Sequence, residues 1–178
     1  MKKGTRGFSL IELLIVVAII LIIAAIAIPD LLKSRQAANQ SSAVGSLRTI
    51  NTSEVAYSST YTLGYASSLN ALGPPAAAAN STAAAAGLID SILAAGIKSN
   101  YVFNYTSNVS PGVGVNCTAS TPSLGTYQAT NAVASYTINA APLLCAAGNG
   151  NYYFTDQSGV IRQNNLNFAD VADSPLAG

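Results

Sequence analysis

Gly7-Phe8-Ser9-Leu10-Ile11-Glu12 runs directly into Leu13-Leu14-Ile15-Val16-Val17-Ala18-Ile19-Ile20-Leu21-Ile22-Ile23-Ala24-Ala25-Ile26-Ala27-Ile28. From Leu10 to Ile28 every residue except Glu12 is apolar. A helix needs about 20 such residues to cross the hydrocarbon of a bilayer, so this stretch predicts a membrane-spanning helix.

What precedes the run separates it from an ordinary export signal. A secretory peptide places its small-residue cleavage site beyond the apolar stretch. Here the short basic segment Met1-Lys2-Lys3-Gly4-Thr5-Arg6 ends at Gly7, and the small-residue junction lies before the run. A cut after Gly7 leaves the hydrophobic segment in the mature chain. Glu12 is the second anomaly, because a carboxylate within hydrocarbon costs on the order of 3 kcal/mol and usually marks function. Cleavage at Gly7 would expose the α-amino group of Phe8, four residues before Glu12, and so create a candidate counter-charge at the right depth.

At these residues the chain resembles the type IV filament superfamily, the pilins of type IV pili and the pseudopilins of type II secretion. The family signature is a short basic leader ending in Gly, then Phe-Ser/Thr-Leu-Ile-Glu and an apolar helix. Gly7 through Glu12 match it at every position. The resemblance implies that a prepilin peptidase cuts after Gly7 and methylates the amine of Phe8. It also implies that Glu12 directs assembly by pairing with the Phe8 amine of a neighbouring subunit. Pro29 falls where many members carry a helix-disturbing proline, and its missing amide hydrogen predicts a kink. The likeness is close over about the first 60 residues and general beyond them.

The chain has 178 residues, half of them hydrophobic and 8% charged, with no His and no Trp. There is no histidine base, no His/Cys metal cluster, no P-loop and no Gly-x-Ser-x-Gly elbow. The composition therefore argues against an enzyme and calls for no cofactor or metal. Removing the leader's Lys2, Lys3 and Arg6 from a chain of net charge +1 leaves side chains that sum to −2. Beyond residue 60 the cations are Lys98 and Arg162, far short of the basic stripe a nucleic acid requires. The leader's cations favour a cytoplasmic N-terminus. Lys33 and Arg35 count against that orientation, and the resemblance supports it.

From Asp30 to Tyr61 there is no Pro, and Gly45 is the one glycine. At 100° per residue, Ala43, Val44, Leu47, Ile50, Val55, Tyr57 and Tyr61 fall in one arc, opposite Ser42, Thr49, Thr52 and Ser53. An amphipathic helix lying on a domain is expected, continuous with the apolar one: about 54 residues and roughly 80 Å in all. Glu54 lies within the arc, either as a buried contact or as an edge position, and the edge position is the expectation. Tyr57, Tyr61 and Tyr65 lie four apart and read as packing rather than as a ladder for electrons.

Residues 66–86, rich in Ala, Ser, Gly and Pro, read as a surface loop, and 87–96 as a short helix ending at Gly96. Strand character follows at Tyr101–Tyr105, Ala132–Asn139 and Tyr152–Arg162. The last is interrupted by Asp156-Gln157-Ser158-Gly159 and reads as a hairpin. The fold class is thus α+β, a long N-terminal helix packed on a small antiparallel sheet, which is the pilin head plan the family implies. The divisions are a leader at 1–7, a membrane or filament-core helix at 8–29, its amphipathic continuation at 30–61, and an extracytoplasmic head at 62–178.

Cys117 and Cys145 are the only cysteines. Outside the cytoplasm they have a single possible pairing, the alternative being two reduced buried thiols. Pilins often carry a disulfide enclosing the last part of the head, whereas here a whole hairpin follows Cys145. Asn-x-Ser/Thr triplets at Asn39, Asn51, Asn80, Asn104, Asn108 and Asn116 read as chance in a chain of this composition. Asp170 and Asp173 lack EF-hand spacing and read as a solvated tail rather than a calcium site.

The resemblance implies a structural subunit of a type IV pilus, inserted in the bacterial inner membrane and then polymerised into an extracellular filament for adhesion or motility. The implied partners are copies of itself, the prepilin peptidase, an assembly ATPase with its inner-membrane platform protein, and an outer-membrane secretin. The alternative is a pseudopilin whose periplasmic filament drives type II secretion. The cysteine pair and the absence of a clear calcium cluster favour the pilin.

Overall fold

A computed structural model describes residues 7–77, 79–108, 122–126, 133–143, 150–165 and 169–176. The longest element is a helix, α1, over Leu10–Tyr61. The chain divides into two compact units, residues 1–37 and 38–178, so α1 contributes its first part to one and its remainder to the other.

In the first unit α1 has no core of its own. Each Leu, Ile and Val from Leu10 to Leu32 is at least 45% exposed, and the stretch is long and apolar enough to cross a membrane. Pro29 lies inside α1 and does not end it.

The second unit is built on a five-stranded antiparallel meander: β1 (Ile97–Lys98), β2 (Tyr101–Ser107), β3 (Tyr136–Pro142), β4 (Tyr152–Asp156) and β5 (Arg162–Asn164), paired in that order. Tyr105 lies opposite Ile138, and Tyr153 opposite both Ala140 and Gln163. Because side chains alternate along a strand, Tyr101, Phe103 and Tyr105 of β2 share one face with Tyr136, Ile138 and Ala140 of β3 and Tyr153 of β4. These residues form the main core with Ala43, Leu47, Ile50 and Tyr57 of α1. The opposite face holds a smaller cluster of Ala141, Tyr152, Phe154 and Ala169.

Ala43, Ser46, Leu47, Ile50, Ser53, Glu54 and Tyr57 are the buried positions of α1, the three- and four-residue spacing of a single helix face. The face is rotated from the expected arc. Val55 is 63% exposed, while Ser53 is buried and its hydroxyl donates to Leu88 O at 3.2 Å. The hydroxyls of Ser53 and Ser46 take up little volume, so the helix can turn that side to the core and leave Val55 to solvent.

The stretch expected to be a surface loop contains a second helix, α2 (Leu69–Leu72), capped by the Ser68 side chain. Ala66, Leu69, Ala71 and Leu72 are buried, and the chain returns to α2 through Ala86 N–H to Ala71 O and Leu88 N–H to Leu72 O, each 2.8 Å. Most described residues of the alanine-rich excursion between these contacts are exposed, although Ala83 packs on the core and its carbonyl accepts from the Tyr57 hydroxyl at 2.7 Å. The next helix, α3 (Ser91–Ala94), is shorter than 87–96; Asp90 caps it by accepting from Leu93 N–H at 2.8 Å. Strand β1 had no sequence signal.

The expected hairpin forms between β4 and β5, closed by Gly159 N–H to Asp156 O at 2.9 Å. Segment 169–176 is not a solvated tail. Leu176 N–H donates to Ile161 O at 2.8 Å, and the Asp173 carboxylate accepts from Asn164 Nδ2 at 2.9 Å and from Asp170 N–H at 2.8 Å. Strand β5 would otherwise present an open edge, and this segment covers it.

Candidate functional site

At the start of the first unit's apolar run, Ser9 and Glu12 form one polar turn. Ser9 precedes α1, and its N–H donates to Glu12 Oε2 at 2.9 Å. This is one arm of a capping box, in which a side chain three residues into a helix satisfies an amide that the helix cannot. The Ser9-x-x-Glu12 spacing could have revealed it. Glu12 itself is exposed, so its carboxylate has one local partner and room for another. Phe8 is 75% exposed beside it.

Among the described residues nothing lies within 4 Å of where a Cβ on Gly7 would sit, and its φ is not in the left-handed region. The described residues therefore place no demand for glycine there. Behind this turn, Leu10, Leu13, Leu14, Val17, Ala18 and Leu21 line an apolar groove along α1. What the arrangement can do is present a capped, carboxylate-bearing helix start followed by an uncovered apolar surface, with the carboxylate near the position where a cut after Gly7 would place an amine.

Glu54 belongs to the head and is not at an edge. Its side chain is fully buried. Oε2 accepts from Ala66 N–H at 2.8 Å. Oε1 lies 2.7 Å from the Tyr105 hydroxyl, which in turn lies 2.5 Å from Ala66 O. The triangle ties α1, the connection after it, and β2. Gly64 makes that connection possible: its φ is +79°, and a Cβ there would stand 2.3 Å from Val133 O.

Burial pushes the Glu54 carboxyl up to about 7, against the opposing pull of its hydrogen bonds with Tyr105 and Ala66. Burial, and then the charge of Glu54, drives the Tyr105 hydroxyl well above its usual range. The Tyr136 ring stacks on Tyr105 with centroids 6.0 Å apart, and Tyr65 meets Tyr136 edge-on at 4.9 Å. Tyr57 and Tyr61 also touch, at 4.9 Å. The tyrosines act as packing.

The other candidate positions separate cleanly. Cys117 and Cys145 lie outside the described residues, as does Asn116. Asn51 is committed to the core, donating to Thr155 Oγ1 at 2.9 Å and accepting from the Tyr136 hydroxyl at 3.1 Å. Asn104 is buried and accepts from Ser123 N–H at 2.8 Å. Asn108 accepts from Ala134 N–H at 3.1 Å, Asn39 is half-buried, and Asn80 is exposed. Among the described residues no group of three or more His, Cys, Asp or Glu could hold a metal ion.

Residues 2–28 match the family described as the prokaryotic N-terminal methylation motif. A 52-residue stretch, 29% of the chain, is 50% identical to the type IV major pilin protein PilA of Myxococcus xanthus and covers 24% of it. A 37-residue stretch, 21% of the chain, is 60% identical to the type IV wide pilus major component PilA4 of Thermus thermophilus and covers 28% of it. The matches thus span about a quarter of each of these relatives. No solved structure matches the chain.

Proposed function

We propose that this chain, whose N-terminal segment is that of a type IV pilin, is a structural subunit of a type IV pilus. It is inserted in the inner membrane with a cytoplasmic N-terminus, cut after Gly7, methylated at Phe8, and polymerised into an extracellular filament. The observation that carries this reading is the pairing of an uncovered apolar helix with a single carboxylate at its capped start. A surface of that kind suits lipid before assembly and the apolar faces of other copies afterwards. In lipid, the Ser9 N–H satisfies part of Glu12. In a filament, the Phe8 amine of a neighbouring copy would supply the missing charge.

The freedom at Gly7 supports a role in processing, because its glycine answers no demand among the described residues. The partners in this reading are copies of the chain, the prepilin peptidase, an assembly ATPase and its platform protein, and an outer-membrane secretin. Its role is structural and involves no catalysis of its own. Both relatives are named as major pilus components, which favours a pilus over a secretion filament.

Mass spectrometry of the mature protein tests the processing step. A chain beginning at N-methylated Phe8 is expected, and Gly7→Ala should abolish that product. Normal processing of the variant would remove the peptidase from the account.

A further inference from the structure

The Glu54, Tyr105 and Ala66 triangle poses a problem of proton count. The Tyr105 hydroxyl lies within hydrogen-bond distance of both Glu54 Oε1 and Ala66 O, yet a phenol carries one proton and a carbonyl oxygen carries none. If that proton faced an ionised Glu54, the oxygens of Tyr105 and Ala66 would stand 2.5 Å apart with no hydrogen between them. If it faces Ala66, the 2.7 Å contact to Glu54 needs a proton from the carboxyl. Only the second arrangement makes every contact a bond.

We propose that the head contains a proton-binding site at Glu54. The carboxyl is held neutral and donates to Tyr105, Tyr105 donates to Ala66 O, and loss of the Glu54 proton opens the junction between α1, the connection after it, and β2. The surroundings agree with this assignment. Among the described residues, Tyr105 on β2 and Tyr136 on β3 interact with the Glu54 charge; Tyr57 on α1 acts on Tyr105, and Tyr65 and Asp156 act on Tyr136. Burial alone raises the Glu54 carboxyl, the two hydrogen bonds oppose it, and no Lys or Arg is among the causes. A buried carboxylate without a cation is costly, and such groups take up a proton instead.

The consequence is a head whose stability depends on pH in a fixed direction. With the folded value raised from 4.5 to about 7, the folded state binds the proton more tightly than the unfolded chain. The stabilisation is complete below about pH 4.5 and is lost as pH rises through about 7, a change of roughly 300-fold in the folding equilibrium. The chain has no histidine to titrate in that window.

Glu54→Gln separates the two proton arrangements. A glutamine can accept from Ala66 N–H and donate to the Tyr105 hydroxyl, the pattern of the neutral acid. Unfolding of the full-length chain in detergent micelles, followed between pH 5 and pH 9, should show wild type losing stability as pH rises. Glu54→Gln should match wild type at pH 5, exceed it at pH 9, and vary little between. A variant less stable than wild type at pH 9, or a wild type as flat as the variant, overturns the proposal.

A second reading does not depend on the variant folding. Glu12 and Glu54 are the only two glutamates, so carboxyl-labelled glutamate in the wild-type chain gives two carbon resonances to titrate by NMR. One should move only near or above neutral pH. If both titrate in the ordinary carboxylate range, Glu54 is ionised in the fold and the proposal fails.

Discussion

The two glutamates of this chain meet opposite fates. Glu12 stands exposed at the start of α1, with a single amide hydrogen bond, above an apolar surface that nothing in its own unit covers. Glu54, on the same helix, is sealed in the head with every oxygen engaged. The difference lies in what each helix segment is for. Residues 38–61 bury one face inside their own unit, so their polar group must be satisfied within the chain. The apolar run from Leu10 to Leu32 leaves its Leu, Ile and Val side chains open, so the carboxylate at its start is available to another molecule.

That contrast is sharpest in side-chain truncation. Leu47 is fully buried and Leu14 is 61% exposed. Leu47→Ala should lower the unfolding free energy of the head by about 3–5 kcal/mol, whereas Leu14→Ala should leave it unchanged in micelles. Equal losses from the two would mean that the exposed surface is part of the head's own core. A Cys117–Cys145 bridge, an expectation from the sequence, would contribute less, about 2–4 kcal/mol lost on its opening. Labelling of thiols in the denatured, unreduced protein should find none free; two free thiols would leave the head to packing alone.

Most of the architecture was legible because it rests on patterns local to the sequence. The apolar run and the Asp156–Gly159 turn predicted α1 and the β4–β5 hairpin at close to their observed limits. The features that were missed depend on partners outside their own segments. Strand β1 exists because β2 offers Ile97 and Lys98 an edge to pair with. Helix α2 exists because Leu69 and Leu72 find a core that a loop-like composition concealed. Segment 169–176 is ordered by Ile161 and Asn164. Glu54 was misjudged for the same reason: its position in the arc was plain, but a buried carboxylate is credible only once Ala66 and Tyr105 are known to meet it. The residues proposed for processing and assembly, by contrast, are close neighbours in sequence and could be read as a motif.

The most direct test of the account is filament yield from cells whose only copy of this subunit carries Glu12→Val. The substitution removes the cost of placing a carboxylate in lipid, so the processed variant should accumulate in the membrane at least as well as wild type, with its head equally stable. In a filament it would strand the neighbouring Phe8 amine in an apolar core, at a cost of about 3–5 kcal/mol. Electron microscopy should therefore find few or no filaments beside a full membrane pool; a normal yield would contradict the claim that Glu12 serves contact between subunits.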